Sequence, residues 1–183
     1  MILNLEKLKE GPNEFWKVYT AEELELSDVK DFEVVSGIDV HISAFKSRTN
    51  ITLKIQADFK LKMVCSRCLE EFERDFSEES TYYLKAGKEE FVEEKALVDE
   101  DIYTLYYATD ELDVKPLIRE LVLLAVPMKP LCKPDCKGLC PVCGVNWNYE
   151  TCEHMDKIQK IDVRWKKLIE LSQKMDIQSQ RES

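Results

Sequence analysis

Two Cys-x-x-Cys pairs carry most of the chemistry this sequence can support: CSRC at Cys65 and Cys68, and CPVC at Cys140 and Cys143. The second pair sits inside CKPDCKGLCPVCGVNWNYETCEH, which adds Cys132, Cys136, Cys152 and His154 in one short span. Two thiolates separated by two residues can turn onto a single tetrahedral ion, because the tight turn between them suits sulfur ligands about 2.3 Å from zinc. Gly144, after Cys143, suits a turn whose amides point at sulfur, and Pro141 stiffens that turn. The seven cysteines and His154 make eight ligands, the number that two closed four-ligand sites require, with no position left for water. The expectation is two zinc ions per chain, or one if only one site fills.

Two partitions of these ligands are open on spacing. In the first, Cys65 and Cys68 join Cys132 and Cys136, while Cys140, Cys143, Cys152 and His154 form a local site. In the second, Cys65 and Cys68 join Cys140 and Cys143 as a two-knuckle ribbon, leaving Cys132, Cys136, Cys152 and His154. Other thiol chemistries fit less well. A thioredoxin-like pair needs its first Cys at a helix N-terminus within a βαβ pattern, which neither pair has. A zinc deaminase needs His-x-Glu and a Pro just before its Cys pair, whereas here Pro141 lies inside the pair and Glu153 precedes His154. The runs typical of iron–sulfur ligation are missing. No P-loop, dinucleotide fingerprint or nucleophile elbow occurs, so no catalytic residue is assigned and no enzyme or small-molecule substrate is expected. The metal is expected to staple a loop-rich C-terminal segment to the rest of the chain.

The elements that must position these ligands show in the hydrophobic periodicity. Ile51, Leu53, Ile55, Ala57, Phe59, Leu61 and Met63 alternate with period two and read as a long half-buried strand. Ile38, Val40, Ile42 and Ala44 repeat the pattern before it, and Phe72, Phe76, Tyr82 and Leu84 do so more loosely after it. His41 falls on the polar face and reads as an ordinary exposed residue. Residues 88–101 hold seven carboxylates and two lysines without a period and read as a solvated acidic loop. IYTLYY then reads as a short strand. Asp113 is placed to cap a helix with Val114, Leu117, Ile118, Leu121, Leu124 and Ala125 on its apolar face, stopped by Pro127 and Pro130. A C-terminal helix over 155–176 carries Trp165, Leu168, Ile169 and Met175. Strands precede helices instead of alternating with them. The expected fold is therefore α+β: an antiparallel, strongly curved, barrel-like β-sheet with C-terminal helices and a zinc-binding Cys-rich segment. Its parts are a strand-rich region 1–87, the acidic loop 88–101, the zinc segment 127–154 and the helix 155–176.

Composition narrows the setting. The 183 residues include only 5 Gly and 6 Pro with 44% hydrophobic residues, a globular and not a disordered balance. The apolar stretch Leu121–Met128 is far shorter than the roughly 20 residues of a membrane span, and the start MILNLEKLKE has no signal-peptide core. A cytoplasmic protein without membrane contact is expected. An odd number of cysteines in a reducing compartment favours metal over disulfides. The net charge is −10, with residues 1–113 carrying 14 Lys/Arg against 27 Asp/Glu. The charge argues against nucleic-acid binding through bulk electrostatics, a reading that the distribution softens, since the part after Val114 is mildly basic.

CSRCLEEF, DVKPLIRELVLLAVPMKPLC, CKGLCPVCGVNWN with its closing Cys-x-His, and IDVRWKKL together resemble the YceD family of large ribosomal RNA subunit accumulation proteins. The resemblance is strongest from Leu61 to Leu168, and the strand-rich N-terminal third matches only in character. The family often closes its cluster with Cys-x-Cys where this chain has His154, which keeps a zinc ligand, and often has Pro at the position of Val163. The resemblance implies a single domain over 1–183. It also implies a non-enzymatic, metal-binding factor for accumulation or processing of 23S ribosomal RNA during large-subunit assembly, with ribosomal RNA or a pre-ribosomal particle as partner.

On physical grounds the contact surface for such a partner is the zinc segment with Lys129, Lys133 and Lys137, extended by Arg164, Lys166 and Lys167. Trp147, flanked by Asn146 and Asn148, either stacks on an unpaired base or packs over the metal site. The other functional reading is a zinc-stapled protein-binding adaptor whose acidic surface recognises a basic partner such as a ribosomal protein.

Overall fold

The computed structural model describes residues 1–48, 50–87 and 102–155. The chain divides into two compact units, one made of Met1–Ser66 and Glu70–Cys132, the other of Arg67–Leu69 and the chain from Lys133 onward. Among the described residues, all strands and the one α-helix of the structure belong to the first unit.

That unit is α+β. Its main sheet is built from β2 (Gly11–Tyr19), β3 (Phe32–Val34), β4 (Ile38–Lys46), β5 (Ile51–Val64), β6 (Glu71–Ala86) and β7 (Thr104–Tyr107). The strand order is β2-β4-β5-β6-β7, with β3 pairing the far end of β5. A second, two-stranded sheet joins β1 (Ile2–Asn4) to β8 (Glu111–Asp113). The alternation in the sequence decides which face is buried: Val40, Ile42, Leu53, Ile55, Leu61 and Leu84 all point to one side and are almost fully buried. Phe59 stacks on its cross-strand partner Phe76 with ring centroids 5.6 Å apart. The helix α1 (Lys115–Ala125) adds Ile118, Leu121 and Val122 to the same core.

The expected barrel is not formed. The sheet is open, with β2 and β7 as its ends, and no described strand joins them. Nor is it wholly antiparallel, because β7 pairs parallel to β6. Seventeen residues separate these two strands, long enough for the crossover that a parallel pair requires. The C-terminal helices expected from the sequence are not shown: α1 is the one described, and the predicted helix 155–176 lies outside the described residues apart from Met155. The acidic loop 88–101 lies outside them as well.

Two details of α1 also differ from expectation. Val114 occupies the N-cap position, and Asp113 ends β8 while its Oδ1 accepts the amide of Lys115 at 3.1 Å. Pro116 in the first turn has no amide to satisfy, so less capping is needed there. Leu124 is 77% exposed and Val122 takes the buried place, because the inward stripe runs through 118, 121 and 122. The chain leaves the helix at Val126, whose extended backbone is what a following proline imposes.

Candidate metal centre

Both Cys-x-x-Cys pairs fold into the same knuckle. The amide of Cys65 donates to the carbonyl of Glu70 at 2.9 Å, and that of Cys140 to the carbonyl of Val145 at 2.8 Å, closing loops of equal length. Each loop needs a left-handed residue just after its second cysteine. In the second knuckle this is Gly144 at φ 74°; in the first it is Leu69 at φ 59°, a conformation that L-residues adopt at a cost. The amide of Gly144 donates back to the carbonyl of Cys140 at 2.9 Å.

Among the described residues of the second unit, backbone and amide contacts surround these turns. Leu139 and Asn146 form an antiparallel bridge, and the amide of Trp147 donates to the carbonyl of Gly138. Gly138 sits at φ 78°, and a Cβ there would lie 3.0 Å from the carbonyl oxygen of Arg67. That same carbonyl accepts the amide of Leu139, and the Arg67 guanidinium donates to the carbonyl of Cys136 at 2.8 Å. Arg67, the residue between the first two cysteines, was not singled out by sequence reasoning. Its position inside the Cys-x-x-Cys turn was the available signal.

The eight candidate ligands fall into two groups. Cys65, Cys68, Cys132 and Cys136 form one, and Cys140, Cys143, Cys152 and His154 the other; within each, one ligand atom per residue lies within 4.8 Å of all the others. This is the first of the two partitions that spacing left open. None of the seven cysteines is in a disulfide. Cys65, Cys68, Cys136 and Cys140 are almost fully buried, whereas Cys143 is exposed.

Each group fits a metal ion on its own chemistry. Nδ1 of His154 is buried with no hydrogen-bond partner, a costly state for an imidazole nitrogen and the one a coordinate bond relieves. Adjacent side chains already donate to two of the sulfurs. Trp147 donates its indole N–H to Cys152 Sγ at 3.2 Å, and Asn148 donates an amide N–H to Cys136 Sγ at 3.3 Å. Asn148 is fixed in turn by the amide of Lys137 on its Oδ1 and by Asn146. The sequence leaves two roles open for Trp147, stacking on an unpaired base or packing over the metal site; in the structure its indole N–H is engaged by the sulfur of Cys152, a candidate ligand.

The acidities follow from these contacts. Burial pushes the Cys140 thiol up, but the amides of Cys143 and Val142 and the thiols of Cys143 and Cys152 outweigh it, bringing the pKa to about 7. The Cys152 thiol is lowered, chiefly by the Trp147 indole N–H. Cys143 moves the other way: the Val145 amide pulls it down, yet the neighbouring Cys140 and Cys152 thiols and burial together raise it. Packed sulfurs thus titrate one after another, and a divalent cation among them would remove the protons from all.

The basic residues expected beside the ligands are partly placed. Lys129, Lys133 and Lys137 are exposed, and no described carboxylate forms an ion pair with their ammonium groups. Arg164, Lys166 and Lys167 lie outside the described residues.

Comparison with known proteins gives the family. Residues 53–172 match the model of the large ribosomal RNA subunit accumulation protein YceD. The chain belongs to the YceD family. All eight candidate ligands fall inside the YceD match. A relative from Mycobacterium tuberculosis is 40% identical over 62 residues, 34% of this chain and 28% of that protein. A large ribosomal RNA subunit accumulation protein YCED homolog 1, chloroplastic, from Arabidopsis thaliana is 24% identical over 151 residues, covering 69% of this chain and 46% of its own length. The maize homolog of the same name is 42% identical over 41 residues, 22% of this chain and 14% of that one. The matches therefore span less than half the length of these relatives. No solved structure matches the chain. No helix among the described residues is long and apolar enough to cross a membrane.

Proposed function

We propose that this YceD-family chain is a non-enzymatic, zinc-holding factor that supports accumulation of 23S ribosomal RNA and assembly of the large ribosomal subunit in the cytoplasm. The observation that supports this reading is the grouping of all seven cysteines and His154 in two fours; an ion held tetrahedrally by either four would have no ligand position left for water or substrate. Four thiolates, or three with an imidazole, are donors suited to zinc, and a closed tetrahedral site stabilises a fold instead of activating a nucleophile. Cys65, Cys68, Cys132 and Cys136 would hold one ion and Cys140, Cys143, Cys152 and His154 the other.

In this reading the exposed Lys129, Lys133 and Lys137 meet phosphates of ribosomal RNA or of a pre-ribosomal particle, with Arg164, Lys166 and Lys167 extending the contact. The names of the plant relatives, which refer to accumulation of large ribosomal subunit RNA, support the substrate class.

The test is the ratio of large- to small-subunit RNA in a deletion strain, which should fall, since an unassisted assembly intermediate is exposed longer to nucleases. Replacing Lys129, Lys133 and Lys137 together should reproduce part of that defect without loss of bound zinc. Full restoration of the ratio by the triple variant would overturn the RNA contact and move attention to the acidic surface.

A further inference from the structure

The outward face of the main sheet carries an arrangement that the ribosomal RNA reading does not use. Trp16, on the end strand β2, is 71% exposed, and Val18 on the same strand is 56% exposed. Exposed aromatic rings are usually mobile, but this one is held. Its cross-strand partner His41 stacks on one face of the indole, with centroids 4.9 Å apart and planes 8° from parallel. His41 is itself fixed by Glu14, whose Oε2 lies 2.6 Å from Nε2, and the other oxygen of Glu14 accepts from Ser43 at 2.9 Å. The second face of the indole is left to solvent.

Beside the ring lies a depression of about 440 Å³ whose lining includes Trp16, Val18, His41, Asp39 and Asp58. Asp39 and Asp58 are directly opposite each other on β4 and β5, and no described residue gives either of them an ion pair or a side-chain hydrogen bond. Like charges placed opposite destabilise a sheet, and a bound cation offsets that repulsion. The cations nearby are already engaged. Lys17 pairs with Glu23 at 3.0 Å, while Lys54, Lys60 and Lys62 pair with Glu79, Asp75 and Glu71.

From this geometry we infer that the Trp16 face of the sheet docks a basic protein segment, with an arginine side chain stacked on the free face of the indole and paired with Asp39 and Asp58. A guanidinium is planar, weakly hydrated and forked, so it satisfies an aromatic face and a carboxylate at once. Phosphate-bearing partners are disfavoured by the two unpaired carboxylates and by the excess of acidic residues in 1–113, which carry 27 Asp/Glu against 14 Lys/Arg. A second copy of the same face would bring carboxylates against carboxylates. Trp16, Asp39 and His41 precede the residues matched to YceD and Asp58 lies within them; the inference rests on the geometry of this patch and not on the family reading.

The test uses the full zinc-containing chain and a synthetic twelve-residue peptide of alternating Arg and Gly, titrated by calorimetry. The peptide should bind, and a Lys–Gly peptide of equal charge should bind several-fold more weakly. Trp16→Ala and the double variant Asp39→Asn, Asp58→Asn should each weaken the Arg peptide by about tenfold, while Trp16→Phe keeps most of the affinity. A charge-matched control, Glu10→Gln with Glu111→Gln, should change it less than about twofold. Unchanged zinc content and circular dichroism verify folding of each variant. Equal weakening by the control would show attraction by bulk charge alone and overturn the proposal. So would undiminished binding to Trp16→Ala, failure of the Arg peptide to bind, or equal binding of the Lys peptide.

Discussion

The two ligand groups start from the same knuckle and differ in everything that surrounds it. Cys140, Cys143, Cys152 and His154 lie within fifteen residues of one another, with one sulfur exposed and one nitrogen donor. Cys65, Cys68, Cys132 and Cys136 are all sulfur, mostly buried, and separated by a gap of 63 residues between the two pairs. The first knuckle tolerates a leucine at the left-handed position that the second fills with glycine. Local groups can form with little chain ordering beyond their own turn. A group whose ligands are distant in sequence closes a long loop and so restricts the unfolded chain more strongly. The same coordination chemistry should therefore contribute differently to stability at the two places.

The largest effect should come from Cys65→Ser with Cys68→Ser. Bound zinc should drop from two ions to one per chain, and the melting temperature should fall by roughly 10 °C, as expected for a loss of several kcal/mol in a chain of this size. Elemental analysis and a thermal melt followed by circular dichroism measure both; retention of two ions would break the comparison. His154→Ala should also remove one ion but leave the melting of the sheet nearly unchanged, because its group is local. His154→Cys should restore the ion, since a thiolate replaces the imidazole in a closed site.

The adjacent donors come next. Trp147→Phe and Asn148→Ala each delete one N–H bond to a ligand sulfur, and each should weaken zinc binding at its own group by about tenfold in competition with a chromophoric chelator. Trp147 should act on the local group and Asn148 on the other. An equal loss at both groups from either variant would mean that the two are not separable.

In the metal-free protein, thiolate absorbance should show a phase near pH 7 that Cys140→Ser removes. The sign of the linked stability follows from the direction of that shift. The folded pKa of about 7 is below the ordinary value of 9.0, so the contribution is complete above pH 9 and is lost as pH falls through 7. The smallest effects belong to the turns. Gly144→Ala should cost about 1–2 kcal/mol, as a Cβ at positive φ does, while Leu69→Gly should gain well under that, strain relief being offset by a more flexible unfolded chain. Thermal melts of the two variants with opposite signs would verify that the knuckles share one geometry.

Much of this was legible residue by residue. The alternation from Ile51 to Met63 determined a long strand with one buried face, since a period of two leaves no other regular structure. Pro127 determined where α1 stops, because it forces an extended residue before it. Strand β2 escaped the sequence reading because its outward residues include Trp16 and Val18, so its apolar side chains point both ways and the alternation blurs. The role of His41 escaped for the same reason: a lone histidine on a polar face gives no sign that a tryptophan from another strand will lie on it.

By itself the sequence determined that eight candidate ligands exist, that four of them are close neighbours, and which face of each long strand is apolar. These are consequences of residue type and short-range spacing, which act whatever the rest of the chain does. Only the tertiary structure decided which cysteines join Cys65 and Cys68, that the sheet stays open with β7 parallel to β6, and that Trp16, His41, Asp39 and Asp58 share one patch. Each of these depends on strand register and on contacts between residues far apart in the chain. Such contacts are selected by packing of the whole core, and local preference carries no information about them.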